Sequence, residues 1–143
     1  MKALFVDTAG WMACADAADP AHAASCRARD TALEGGAVLV TTDYVVDETL
    51  TLIRVRLGLA AAETWWLQVE RSSRVRWERI DDVRAARARH AFFRQDDKGY
   101  SFTDCTSLVV MHELKLRQAL TTDRHFAQMG FQLLPGTTRR GRR

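Results

Sequence analysis

The sequence has few cysteines and no long apolar run. Its three cysteines, Cys14, Cys26 and Cys105, form no C-x-x-C pair and leave an odd number, which fits a reducing cytoplasm better than a disulfide framework. No stretch approaches the ~20 apolar residues that a membrane span needs. Asp7 interrupts the N-terminal apolar run too early for a signal peptide. We therefore expect a cytoplasmic protein without a membrane segment.

Internal repeats are also absent, and the composition is that of one globular domain. Of the 143 residues, 47% are hydrophobic and 27% are charged, which is an ordinary balance for a folded chain. A chain of this length can bury a core without disulfides or a structural metal. The one linker-like stretch is the terminal PGTTRRGRR. We expect a single domain over residues 1–135 and a basic, disordered tail over residues 136–143.

Excess charge of one sign is confined to the end of the chain. The formal net charge is +3, but four arginines lie among the last five residues, and without them 17 basic residues face 18 acidic ones. The folded part is therefore no generally basic nucleic-acid-binding surface. For the tail, two roles stay open: contact with phosphates, or a solvated chain end.

Strand and helix patterns alternate along the chain. Strands are predicted over 3–6, 37–41, 74–80, 118–122 and 131–135, and helices after Asp7, from Asp19-Pro20 to Gly35-Gly36, and over 42–58, 59–72, 81–95 and 103–116. Strands separated by helices, without tight hairpin turns, indicate parallel pairing through crossover helices. The predicted fold class is α/β, with helices on both faces of a small sheet.

Two carboxylates stand where predicted strands end. Asp7 follows the apolar run at residues 3–6, and Asp123 follows the strand at 118–122, where the next helix should begin. Each alone is explained by a helix N-cap. In an open parallel sheet, however, the carboxyl ends of the strands line a crevice where functional groups gather. We expect Asp7 and Asp123 to share that edge.

Two further acids join this hypothesis. Asp104 ends a Ser-x-x-Asp pattern with Ser101, which predicts a capping box and also a rigidly held carboxylate facing the strand ends. Glu48 lies in the middle of a predicted helix, so it caps nothing. Helical spacing puts it on one face with Val45 and Leu52. A carboxylate there either reaches solvent or has a partner.

Four converging acids repel one another, and a divalent cation would relieve that repulsion. The four histidines are scattered and form no H-x-H or H-E-x-x-H pair. Ligands made of oxygen alone indicate Mg²⁺ or Mn²⁺ and not zinc. Carboxylate-held Mg²⁺ typically serves phosphate chemistry, where it binds the scissile phosphate and activates a water.

Four motifs in this order carry a family resemblance. They are FVDT (5–8), DYVVDETL (43–50), SFTDCTS (101–107) and LTTDRHF (120–126). The set resembles the PIN-domain ribonucleases, especially the VapC-like toxins of bacterial toxin–antitoxin pairs, over the chain up to about Pro135. The resemblance implies a three-layer α/β/α sandwich around a small central parallel sheet.

The resemblance also assigns roles to residues. The metal-binding acids would be Asp7, Glu48, Asp104 and Asp123, and the polar positions beside them would be Thr8, Ser101 and Thr103, with Thr122 supporting Asp123. Many relatives carry small alanines after Asp104, where this chain has Cys105, Thr106 and Ser107. We expect that departure to affect helix packing more than metal chemistry.

The implied activity is metal-dependent cleavage of single-stranded RNA that leaves a 5′-phosphate and a 3′-hydroxyl. The implied partners are RNA, a cognate antitoxin and a second copy of the chain in a homodimer. Arg124 and His125, just past Asp123, would contact the RNA backbone or form a solvated helical turn. Trp11 would stack on a base or pack in the core.

Other functions stay open at this point. A PIN-type nuclease that processes RNA without an antitoxin has the same motifs. A phosphoacceptor receiver domain also gathers acids at a sheet edge, but it needs paired acids near the first strand, where this chain has only Asp7. A non-catalytic PIN module would use the acidic crevice to bind a metal or a basic peptide.

Overall fold

The computed structural model describes residues 2–95 and 99–136; the tail predicted to be disordered lies outside them from residue 137 onward. The strands are β1 (Ala3–Val6), β2 (Val38–Thr42), β3 (Val75–Glu78), β4 (Gln118–Leu120) and β5 (Gln132–Leu134). The helices are α1 (Thr8–Ala15), α2 (His22–Glu34), α3 (Asp43–Leu57), α4 (Leu59–Arg71), α5 (Asp82–Arg94), α6 (Phe102–Glu113) and α7 (His125–Gln128).

The strands form one five-stranded sheet in the order β3-β2-β1-β4-β5, and every neighbouring pair is parallel. Parallel strands need crossover connections, which the intervening helices supply. The predicted three-layer α/β/α sandwich is confirmed.

β1 lies at the centre of the sheet, and its composition explains why. Leu4, Phe5 and Val6 are each 2% exposed or less, as a strand covered on both faces requires. Phe5 pairs in register with Val40 on one side and with Ala119 on the other. The alternating edge strand predicted at 74–80 is confirmed as β3.

Two predicted helix boundaries are wrong, each for a local reason. The helix expected from Asp19-Pro20 begins only at His22, because the Asp19 carboxylate accepts a hydrogen bond from Ala21 N and caps a turn instead. The helix expected to reach residue 116 ends at Glu113, since Lys115 adopts a left-handed φ of 57°.

Trp11 packs in the core, which decides between its two predicted roles. It is 6% exposed, its Nε1 donates to Thr41 Oγ1 at 3.2 Å, and its ring meets Trp65 edge-on at 5.7 Å. A base therefore has no open Trp11 face to stack on.

The order of the strands creates a crevice between β1 and β4. From β1 the chain moves to β2 and β3 on one side, and β4 and β5 then add on the other side. Ligands of open α/β sheets bind at such reversals, beyond the carboxyl ends of the strands.

Among the described helices, none has the length and apolar character needed to cross a bilayer.

Candidate metal centre

A cavity of about 300 Å³ opens at the carboxyl ends of β1 and β4. All four predicted acids line it, although they come from the N-cap of α1, from α3, from α6 and from the segment after β4. Other residues on its wall include Thr8, Asp19, Arg56, Thr103, Ser107 and Thr122. The topology thus brings together side chains that are up to 116 positions apart, from Asp7 to Asp123.

Asp7 is the most buried of the acids, with 5% of its surface exposed. One carboxylate oxygen accepts from Gly10 N at 2.9 Å and caps α1, and the other accepts from the Thr121 hydroxyl at 2.8 Å. Burial raises the pKa of Asp7 to about 7 against the opposing effect of these hydrogen bonds. The nearby charges of Asp123 and Asp104 raise it further.

Asp104 closes the predicted capping box at the start of α6. Its backbone N donates to Ser101 Oγ at 2.9 Å, and its Oδ2 accepts from Ser101 N at 3.1 Å. The side chain is 14% exposed. Burial is the main cause that raises the pKa of Asp104, and the charge of Asp123 adds to it. The cap and the place on the cavity wall are therefore compatible.

Glu48 finds its partner in Thr8. The Thr8 hydroxyl donates to Glu48 Oε1 at 2.5 Å, which joins the first turn of α1 to the middle of α3. Thr8 is itself buried, whereas Glu48 is exposed toward the cavity. The mid-helix carboxylate is thus held at the edge of the cavity by a hydrogen bond from another helix.

Thr121, which sequence reasoning missed, links Asp7 to Asp123. Pairing of Val6 with Leu120 places the residues that follow them, Asp7 and Thr121, side by side. The Thr121 hydroxyl donates to Asp7 and accepts from Asp123 N at 2.9 Å. Thr121 thus holds the Asp123 backbone, and Thr122 beside it lines the cavity wall.

His125 was also missed as part of the acid cluster. Its Nδ1 lies 3.2 Å from Asp104 Oδ2 and 3.3 Å from Asp123 Oδ1, and its backbone N donates to Asp123 Oδ1. Ligand atoms of these three residues lie within 4.8 Å of one another. The histidines are scattered in the sequence, so no motif indicated that His125 joins the acids. Its position two residues after Asp123 was the one local sign that it could. Arg124 beside it is exposed.

The donor set fits a divalent cation. Several carboxylates share one small cavity, where burial first and the neighbouring acids second raise the pKa values of Asp7 and Asp104. Carboxylate oxygens are the ligands that Mg²⁺ and Mn²⁺ prefer, and an imidazole nitrogen suits softer transition metals. The buried Ser107 hydroxyl on the same wall has no hydrogen-bond partner among the described residues.

This parallel sheet with an acid-lined crevice is the arrangement of a nuclease-type α/β domain, and the chain belongs to the PIN domain family, whose model matches residues 4–132. The 23S rRNA-specific endonuclease VapC20 of Mycobacterium tuberculosis, in strains CDC 1551 / Oshkosh and H37Rv, is 32% identical over 128 residues. The match covers 90% of this chain and 95% of that protein.

A solved structure agrees with this membership. The crystal structure of Mycobacterium tuberculosis VapC20, described as a sarcin-ricin loop cleaving toxin, superposes with a TM-score of 0.81 at 30% identity. The likeness covers 90% of this chain and 95% of that one. The predicted PIN resemblance is confirmed, and the receiver-domain alternative is excluded.

Proposed function

We propose that this chain is a metal-dependent endoribonuclease and the toxin of a toxin–antitoxin pair. The observation that carries the proposal is the convergence of Asp7, Glu48, Asp104 and Asp123 on one cavity at the strand-order reversal. A basic peptide would not need the His125 imidazole between two of these carboxylates, so the geometry favours a metal over a peptide as the ligand of the crevice.

The residues that would hold Mg²⁺ or Mn²⁺ are Asp7, Asp104 and Asp123, with Glu48 and His125 beside them. The bound ion supplies positive charge to the scissile phosphate and lowers the pKa of a coordinated water. Asp7 has to lose its proton before it can contribute, because a ligating carboxylate is ionised.

The surrounding side chains orient these ligands. Thr121 fixes Asp7 and Asp123 relative to each other, Thr8 fixes Glu48, and the Ser101 cap fixes Asp104. Partners of this kind typically change metal affinity or activity 10- to 100-fold when they are lost. Thr103 and Thr122 line the cavity wall where substrate would lie, and Arg124 is the exposed neighbour expected to contact RNA.

A positively charged side chain, that of Arg56, also lines the acid cavity and could bind the RNA backbone. Arg56 lines the acid cavity two turns after Glu48 on α3, roughly 12 Å along the helix axis at 1.5 Å per residue. It makes no ion pair with another described residue. We infer that Arg56 binds a phosphate that flanks the scissile one.

The relatives' names indicate the kind of RNA. The curated relatives are 23S rRNA-specific endonucleases, and the solved structure is that of a sarcin-ricin loop cleaving toxin. We propose a structured ribosomal RNA loop as the substrate class, which puts the activity in the cytoplasm. A cognate antitoxin and a homodimer follow from the same relationship. The exposed Val55 and Leu59 in the groove between α3 and α4 offer apolar surface for such a partner.

The test is cleavage of a synthetic sarcin-ricin loop hairpin and of a scrambled hairpin, with Mg²⁺, Mn²⁺ or EDTA. We expect metal-dependent cleavage of the native loop that EDTA, Asp7→Asn, Asp104→Asn and Glu48→Gln each abolish. Asp47→Asn is the matched control, because Asp47 is the exposed neighbour of Glu48 outside the acid cavity. If the Asp7 and Asp104 variants cleaved the native loop as fast as wild type, the proposed site would be wrong. If the wild-type protein cut both hairpins alike, the proposed substrate class would be wrong.

A further inference from the structure

Ser107 is a buried hydroxyl on the wall of the acid cavity. It lies on α6 one turn after Asp104, with 1% of its surface exposed. Its Oγ has no hydrogen-bond partner among the described residues. Leaving a buried hydroxyl unsatisfied is destabilising, and an alanine at this position would avoid that loss of stability.

One of the two usual local acceptors for this hydroxyl is already engaged, and the hydroxyl bonds to neither. A serine inside a helix commonly donates to the carbonyl three or four residues earlier. For Ser107 the carbonyl four residues earlier belongs to Thr103, and it accepts from the Thr106 hydroxyl at 2.6 Å. Thr106 is therefore satisfied within the helix, whereas Ser107 is not.

A second buried serine shows what is particular about Ser107. Ser25 on α2 also has an unpartnered Oγ and is completely buried, but it lines none of the described cavities. The Ser107 hydroxyl also lacks a partner, but Ser107 lines the same cavity as Asp7 and Asp104. A hydroxyl can rotate to reach a partner that enters such a cavity.

We propose that Ser107 is a positioning residue of the metal centre, whose hydroxyl forms a hydrogen bond to a water of the bound cation's hydration shell. Mg²⁺ keeps several waters when proteins bind it, and each water needs a partner. The inference rests on the proposed metal-dependent function. It also revises the expectation that the residues after Asp104 affect helix packing more than metal chemistry, since Ser107 lines the acid cavity.

The test measures Mn²⁺ binding to the full chain by calorimetry, with Ser107→Ala and the matched control Ser25→Ala. We expect the Mn²⁺ Kd to rise about tenfold in the Ser107 variant and to stay unchanged in the Ser25 variant. Metal-free thermal stability should be unchanged or higher in both, because alanine favours a helix and removes the buried hydroxyl.

A near-isosteric variant protects the test against a packing artefact. Ser107→Cys keeps the shape of the side chain but hydrogen-bonds weakly, so we expect the same loss of Mn²⁺ affinity as with alanine. Wild-type Kd values in both Ser107 variants, or an equal loss in the Ser25 variant, would overturn the inference. If wild-type protein binds Mn²⁺ but cuts no RNA, the proposed function fails while the role of Ser107 in binding stands.

Discussion

At Asp7, the helix N-cap and the candidate metal ligand are the same carboxylate. One oxygen is held by the Gly10 backbone N and the other by the Thr121 hydroxyl. Asparagine can still accept the bond from Gly10 N and cap the helix. The Asp7→Asn substitution therefore removes the charge and the acceptor for the Thr121 hydroxyl while it keeps the start of α1.

Arg56 gives a prediction at the scale of one side chain. We expect Arg56→Gln to weaken RNA binding and to reduce the slope of log K against log salt by about 0.7, the value of one phosphate contact on a single strand. Binding would be measured by fluorescence anisotropy in an Asp104→Asn background, so that the RNA stays intact.

Arg54 supplies the control for this experiment. It lies on the same helix, but it lines the groove between α3 and α4 and not the acid cavity. We expect Arg54→Gln to leave the slope within error of the parent. Identical slopes for the two variants would show that Arg56 makes no specific phosphate contact.

At the scale of elements, α1 lies directly against β4. A side-chain atom at Gly10 would clash with the Leu120 carbonyl oxygen and would also meet Val6 Cγ1 at 3.1 Å. The absent side chain is what lets α1 approach the strand so closely. Because the first turn of α1 also carries the Asp7 cap, this contact fixes where the carboxylate sits.

We expect Gly10→Ala to lower the free energy of unfolding by about 1–3 kcal/mol, the range of overpacked cores, and to reduce Mn²⁺ affinity as α1 shifts. Gly35→Ala is the comparison, since its new atom would come no closer than 3.4 Å to its neighbours at a φ of −77°. Urea unfolding of both variants gives the measurement. If the free energy of unfolding of Gly10→Ala equalled that of wild type, β4 would have moved aside without loss of stability, and the prediction would be wrong.

Across the whole molecule, pH should act on stability through the buried acids. Burial raises the pKa of Asp7 from its ordinary value of 3.8 to about 7 in the folded chain, so between these two pH values the folded state holds a proton that the unfolded state has lost. Stability of the metal-free protein therefore falls as the pH rises from about 4 to 7. The raised pKa of Asp104 acts in the same direction.

We expect the unfolding midpoint in EDTA to drop between about pH 4 and pH 7, and we expect Asp7→Asn to reduce that drop. Mn²⁺ should restore stability most strongly at the upper end, because the ligands are then ionised and binding to the native state stabilises it. Thermal melts across this pH range with and without Mn²⁺ test both expectations. A wild-type midpoint that rises with pH in EDTA would contradict them.

The sequence predicted the fold and the four acids because both depend on local patterns. Apolar strands, helical spacing and a carboxylate after each central strand can be read from neighbouring residues. Thr121 and Ser107 could not be identified in this way. Their roles depend on strand register and on which hydroxyl already has a partner, and these become visible only when distant segments meet.

The hydrogen bond from Thr121 to Asp7 joins residues 114 positions apart, and this separation has a consequence for synthesis. Chains are made from the N-terminus onward, so Asp7 is synthesised long before β4 and Thr121. Until then its carboxylate lacks the hydrogen bond from Thr121. Until β4 pairs with it, β1 is an edge strand and the crevice has only one wall. An unfinished chain that lacks β4 thus cannot assemble the proposed centre, so the acid-lined crevice forms only after β4 has been synthesised.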